Sequence, residues 1–158
     1  MRPNIIFFLI DGLRADQCFG KDKTSFTPNI DSLRKKGMYF TNAFTSVDGT
    51  LLSLISIFHS IYPIKTPEVR SKYALQKNNL LAILAENGYE INGLVSDLQS
   101  FTDYTNYFEN NVKTFDYFKY VNKMDQFLLN TSSGVTDKII DFLKSRASKK
   151  PWFYYIHA

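Results

Sequence analysis

Two residues in this chain have the type and setting for chemistry: an acid that ends one apolar run and a hydroxyl that opens another. The acid is Asp11, which follows Asn4-Ile5-Ile6-Phe7-Phe8-Leu9-Ile10 and precedes Gly12. The hydroxyl is Thr50, in Asp48-Gly49-Thr50-Leu51-Leu52-Ser53. A carboxylate after a buried strand suits a hard cation; it suits equally well a turn that caps the next helix. A hydroxyl at a helix N-terminus has free backbone N–H groups and the positive dipole end beside it, features that bind sulfate or phosphate. A metal would lower its pKa and make it nucleophilic. The ordinary role of such a Thr is the N-cap. His157 ends the last apolar run and could serve as oxyanion donor, general acid or metal ligand. A lone His near a chain end is more often inert.

Other titratable residues have blander readings. Asp97 is a second strand-end carboxylate without an evident role, His59 ends an apolar helix as a cap, and Arg14 with Asp16 makes a local ion pair. No His-Glu-x-x-His, zinc-finger, EF-hand, P-loop, Gly-x-Gly-x-x-Gly or Gly-x-Ser-x-Gly pattern occurs.

The elements that must position these residues alternate. The apolar run Asn4–Ile10 reads as a strand buried on both faces, as in a parallel sheet. Thr27 as N-cap, Pro28 in the first turn and Gly37 as stop delimit a helix through about Lys36. Met38–Phe44 reads as a short strand or extended segment. Helices follow over Thr50–His59 and Gln76–Asn87, the second turning Leu80, Leu81, Ile83 and Leu84 inward with Gly88 after its end. Tyr89–Val95 is a strand. Val135–Arg146 is a helix with Val135, Ile139, Phe142 and Leu143 on one face, and Trp152–Ile156 is a last buried strand. Phe101–Lys123, rich in aromatics and Asn, suits core packing better than a substrate cleft. The alternation predicts a three-layer α/β domain, whose active site lies at the carboxyl ends of the strands.

At 158 residues and 44% hydrophobic, with 14 Phe and 10 Tyr, the chain fits one domain with a sizeable core. The net charge of +4 is small and scattered, so nucleic acid is not an expected partner. The clusters Arg34-Lys35-Lys36 and Lys149-Lys150 fit helix C-termini. The single cysteine, Cys18, excludes an internal disulfide and a Cys-based metal site. No signal peptide is visible, which favours a cytoplasmic location, and no run approaches the ~20 apolar residues of a membrane span. The chain stops at Ala158, just after a strand, so the fold and its catalytic set are expected to be unfinished.

Taken together, several segments resemble the sulfatase branch of the alkaline phosphatase superfamily. They are Pro3–Asp16, then Thr27-Pro28-Asn29-Ile30-Asp31-Ser32-Leu33, Gly37–Phe44, Ile61-Tyr62-Pro63, Leu80–Tyr89 and Pro151–His157. Their order and spacing over nearly the whole chain carry the resemblance. It implies an αβα sandwich, with residues 1–158 as the N-terminal part of a single domain. It also implies metal-assisted attack by an enzyme hydroxyl on a sulfate or phosphate ester. Asp11 matches a metal-ligand position. Counting back from Ile61-Tyr62-Pro63 puts Thr50 at the nucleophile position, where it would also contact the metal. His157 matches an active-site His approximately. The divalent metal would be Ca, Mg, Mn or Zn, and the substrate a small-molecule or glycan ester.

The departures from that pattern are specific. Sulfatases of the usual kind carry Cys or Ser within Cys-x-Pro-x-Arg and oxidise it to formylglycine; here the stretch reads Thr50-Leu51-Leu52-Ser53-Leu54. A direct Thr nucleophile resembles instead the phosphodiesterase, phosphonate hydrolase and phosphoethanolamine transferase branches. The second Asp beside the first is absent, and Val95-Ser96-Asp97-Leu98-Gln99 replaces a Gly-Lys-x-His stretch. Later metal ligands of the family would lie beyond Ala158. Three readings follow: a metal-dependent ester hydrolase, a phosphoryl or phosphoethanolamine-type transferase, and a catalytically inactive α/β fragment that binds a partner.

Overall fold

The computed structural model describes residues 2–65, 75–117, 134–146 and 150–158. Four strands form one parallel sheet: β1 Ile5–Leu9, β2 Glu90–Ser96, β3 Thr114–Phe115 and β4 Trp152–His157. Their order across the sheet is β1-β4-β2-β3. The register sets Leu9 opposite His157, Leu94 opposite Ile156 and Ser96 opposite Phe115, so all four carboxyl ends lie along one edge. Among the described residues the α-helices are α1 Ala15–Cys18, α2 Pro28–Lys36, α3 Thr50–His59, α4 Leu80–Glu86, α5 Thr102–Thr105 and α6 Val135–Ser145.

Side chains alternate across a strand, and the two sheet faces here find different neighbours. On one face Ile91, Val95, Phe153 and Tyr155 meet Leu54 and Phe58 of α3, Leu81 of α4, and Phe101, Tyr104 and Phe108. Ile5, Phe7 and Leu9 of β1 pack against the same cluster. On the other face Leu94, Tyr154 and Ile156 meet Val135 and Phe142 of α6, with Phe115 beside them. The expected three-layer α/β arrangement is present over β2 and β4. It does not extend over β1. There Ile6 and Phe8 remain 50% and 51% exposed, so this strand is not buried on both faces as its apolar run suggests. Among the described residues, only its Ile5, Phe7 and Leu9 face packs against a core cluster.

Local signals explain the element ends. Asn79 caps α4, its side chain accepting from the Ala82 N–H, and Gly88 after that helix has φ +79°. The helix is shorter than Gln76–Asn87, because residues 76–79 form the turn and cap. Ile83 and, on α6, Leu143 face outward at 47% and 39% exposure, against expectation; Leu80, Leu81 and Leu84 supply the inner stripe of α4. Beyond the short β3, Asn110 substitutes for a strand neighbour: its side chain accepts from the Gly93 N–H at 3.0 Å and donates to the Gly93 carbonyl at 2.9 Å.

Between β1 and α3 little is buried. No residue of α2 is buried, and Met38–Phe44 forms no strand: Met38, Phe40 and Phe44 are exposed. Local contacts hold this segment, among them the Lys23–Asp31 ion pair and Arg34 over the Phe19 and Tyr39 rings. Lys149 and residues 118–123 of the aromatic-rich stretch lie outside the described residues.

Candidate active site

A cleft of about 180 Å³ opens at the carboxyl edge of the sheet. Every strand contributes to it: Asp11 just past β1, Ser96 at the end of β2, Phe115 at the end of β3 and His157 at the end of β4. Thr50 and Leu51 enter from α3, and Leu98, Ser100, Phe101 and Tyr117 complete much of the wall. Thus Asp11, Thr50 and His157, distant in sequence, line one cavity.

The β1–β4 ladder continues beyond the strands and fixes the backbone of Asp11. The Asp11 N–H donates to the Ala158 carbonyl at 2.7 Å, and the Ala158 N–H to the Leu9 carbonyl at 3.0 Å. Asp11 does not cap α1; Arg14 occupies that position. Its exposed carboxylate instead accepts a hydrogen bond from Thr50 Oγ1 at 3.3 Å.

Thr50 is the first residue of α3, and Gly49 stands in the cap with φ +77°. This conformation favours glycine. The helix N-terminus therefore has no side-chain cap, and the Thr50 hydroxyl is left to reach Asp11. The first N–H groups of a helix lack intrahelical acceptors, and here they open beside the cleft. Leu54 and Phe58, both fully buried, hold α3 against the sheet and so set the position of its first residue.

His157 is 6% exposed. Its Nδ1 lies 2.6 Å from the Tyr155 hydroxyl, and the Phe101 ring meets it edge-on at 4.9 Å between centroids. Burial pushes the imidazole pKa below its ordinary value, against a smaller upward pull from the Asp11 carboxylate. Burial thus favours the neutral ring.

Asp97, His59 and the Arg14–Asp16 pair stay outside this constellation. Asp97 accepts from the Tyr117 N–H at 2.9 Å and ties down the chain after β3. His59 closes the end of α3 against the turn before α4. Arg14 and Asp16 pair on the surface. The aromatic stretch serves both purposes, since Phe101 is core and cleft wall at once. Sequence reasoning missed Ser96, although it obeys the same strand-end rule as Asp11. It also missed Tyr155, which lies two residues before His157 and therefore on the same face of β4.

Asp11 and Thr50 provide two converging oxygen donors, the ligand type that hard divalent cations take. Among the described residues no group of three or more His, Cys, Asp or Glu gathers to complete a protein cage. Two protein oxygens fit part of the shell of a hard divalent cation.

A family profile described as Sulfatase matches residues 3–158. The chain is 41% identical over 66 residues to an ulvan-active sulfatase of Formosa agariphila, a match covering 40% of this chain and 13% of that protein. It is 39% identical over 59 residues to an arylsulfatase of Clostridium perfringens, covering 36% and 12%. An N-acetylgalactosamine-6-O-sulfatase of Bacteroides thetaiotaomicron is 36% identical over 64 residues, covering 39% and 12%. These matches thus span about an eighth of each relative's length. With the profile running from Pro3 to Ala158 and a parallel α/β sheet beneath it, the chain belongs to the sulfatase family.

Proposed function

We propose that this chain carries the nucleophile side of a metal-assisted ester hydrolase acting on a sulfate or phosphate ester, with Thr50 as nucleophile. The observation that carries the reading is the Thr50 Oγ1–Asp11 Oδ2 hydrogen bond at 3.3 Å, made where α3 begins and β1 ends. The family and the names of its relatives, which include two glycan-type sulfatases, support a sulfated small molecule or glycan as the substrate class.

Thr50 Oγ1 attacks sulfur or phosphorus in line, its proton passes by way of Asp11 Oδ2 to the leaving oxygen, which departs as the alcohol, and a covalent Thr ester results. The hydroxyl proton already points at Asp11 Oδ2. Water then cleaves the ester and regenerates Thr50; an alcohol in place of water makes the same chemistry a transfer. Asp11 and Thr50 are the residues that would hold a divalent cation. Such an ion, when bound, supplies Lewis-acid stabilisation of the oxyanion and lowers the hydroxyl pKa. The N–H groups at the start of α3 face the same negative charge. Because position 50 is Thr, the reading uses the hydroxyl directly and requires no formylglycine.

Turnover of an aryl sulfate and an aryl phosphate, with Mg, Ca, Mn or Zn added in turn, tests this. Thr50→Ser is expected to retain part of the activity, and Thr50→Ala and Asp11→Asn to lose most of it. A chelator is expected to stop turnover and added cation to restore it. Equal rates in the three variants would overturn the assignment.

A further inference from the structure

The chain has two histidines, and their hydrogen bonds demand opposite tautomers. His59 Nδ1 lies 3.0 Å from the Asn78 carbonyl, which can only accept, so Nδ1 carries the proton. Its Nε2 receives the Gln76 N–H at 3.2 Å and must offer a lone pair. His157 faces a different partner. The Tyr155 hydroxyl, 2.6 Å from Nδ1, is fully buried, and no other hydrogen bond of that hydroxyl is seen among the described residues. A buried donor left without an acceptor is costly, whereas an oxygen lone pair left over is tolerated more easily. The phenol proton therefore goes to Nδ1. Burial also raises the phenol pKa, so that the group stays protonated. A neutral ring with a lone pair on Nδ1 must carry its proton on Nε2.

We infer that Tyr155 is a positioning residue that fixes His157 as its Nε2–H tautomer and so presents it to the cleft as a hydrogen-bond donor toward an ester oxygen. The donor role rests on the ester hydrolase reading; the tautomer does not. Packing makes the arrangement rigid. The Tyr155 ring stacks on Phe7 at 5.7 Å and meets Phe58 edge-on at 5.2 Å, while Phe101 braces the imidazole. The phenol thus does for this imidazole what a carboxylate or carbonyl does elsewhere, with the opposite result. An acceptor at Nδ1 places the ring proton there and frees Nε2 as a base; a donor at Nδ1 makes Nε2 a donor. His157 is thereby set apart from the oxygen donors Asp11 and Thr50, because a protonated Nε2 offers no lone pair to a cation.

Long-range proton–nitrogen NMR correlations on the uniformly labelled 158-residue chain, above neutral pH, read the tautomers directly, and His59→Gln assigns the two rings. The expected result is a proton on Nδ1 of His59 and on Nε2 of His157, with the His157 preference lost in Tyr155→Phe while His59 keeps its own. A proton on His157 Nδ1 in the wild type, or an unchanged His157 tautomer in Tyr155→Phe, overturns the inference. With an aryl ester, Tyr155→Phe is expected to lower kcat about tenfold and leave KM nearly unchanged; an unchanged kcat overturns the donor role. If the wild type turns over neither ester, the hydrolase reading fails on its own. Titration with inorganic phosphate then decides the donor role: a shift at His157 Nε2 larger than at Nδ1 supports it, and no shift overturns it.

Discussion

The two faces of the sheet are covered to different extents, and the candidate site hangs from the better covered one. Phe7 and Phe8 make the contrast at adjacent positions. Phe7 packs between Phe58 and Tyr155, whereas Phe8 turns the other way and is 51% exposed. On the Phe7 face, α3 brings Thr50 to the cleft, Tyr155 orients His157, and Leu9 leads into Asp11. On the Phe8 face, α6 covers β2 and β4 through Val135 and Phe142, and contributes nothing to the cleft. The difference teaches that the position of the nucleophile depends on one packed cluster. The reacting groups themselves lie at its rim, where they carry little of the fold.

The contrast can be broken most severely at α3. Phe58→Ala removes a fully buried ring that touches Phe7, Tyr104 and Tyr155, and is expected to cost ~3–5 kcal/mol. Phe8→Ala on the bare side is expected to stay within about 1 kcal/mol. Urea titrations of the two variants give both values; similar losses would erase the distinction between the faces.

Next in size is Gly93→Ala in β2. A Cβ there would meet the Phe108 ring at 2.1 Å, and that ring is itself buried in the cluster. Overpacking of this kind costs ~1–3 kcal/mol. Truncating the ring as well, in Gly93→Ala/Phe108→Leu, is expected to recover part of the loss, and failure to recover any would show that the clash is not the cause.

At the rim the expectation reverses. Asp11→Asn and Thr50→Ala should melt within about 0.5 kcal/mol of the wild type, as surface substitutions do, although they remove most of the activity. A large drop in thermal stability in either variant would mean that the pair is structural. The smallest effect belongs to the segment between β1 and α3. Lys23 holds the Asp31 carboxyl below its ordinary value of 3.8, so the folded state binds this proton less readily than the unfolded chain. Any stability from the pair is present above that value and fades as pH falls through the folded-state pKa. Lys23→Ala should flatten that acid limb slightly, lower the neutral-pH melting point by the same small amount, and speed amide exchange in α2.

Much of the fold was legible because its signals are local. β1 and β4 are almost wholly apolar runs, β2 follows the Gly88 stop of α4, α3 is an apolar stretch that opens after Gly49, and α6 has an apolar stripe through Val135, Ile139 and Phe142. What escaped is non-local. Met38–Phe44, read as a short strand or extended segment, forms no strand, for no partner strand lies beside it among the described residues, and its Met38, Phe40 and Phe44 side chains stay exposed. β3 is only two residues long, too short for any periodicity, and exists through its pairing with Val95 and Ser96. The exposed side of β1 reflects where α6 lies, over β2 and β4 and not over β1 among the described residues, which no local pattern encodes. At the site, the strand-end rule pointed to Asp11 and His157, and their convergence with Thr50 needed the sheet register. Tyr155 stayed hidden because a Tyr in a buried strand looks like core until its hydroxyl is seen against His157 Nδ1.

The most direct test of the central claim is acid-quench trapping, followed by mass spectrometric mapping of the modified peptide, with an aryl sulfate or aryl phosphate and added divalent cation. The account predicts a sulfuryl or phosphoryl group on Thr50 in the wild type and none in Thr50→Ala. Turnover without any adduct at Thr50, or an adduct on another residue that persists in Thr50→Ala, would contradict it.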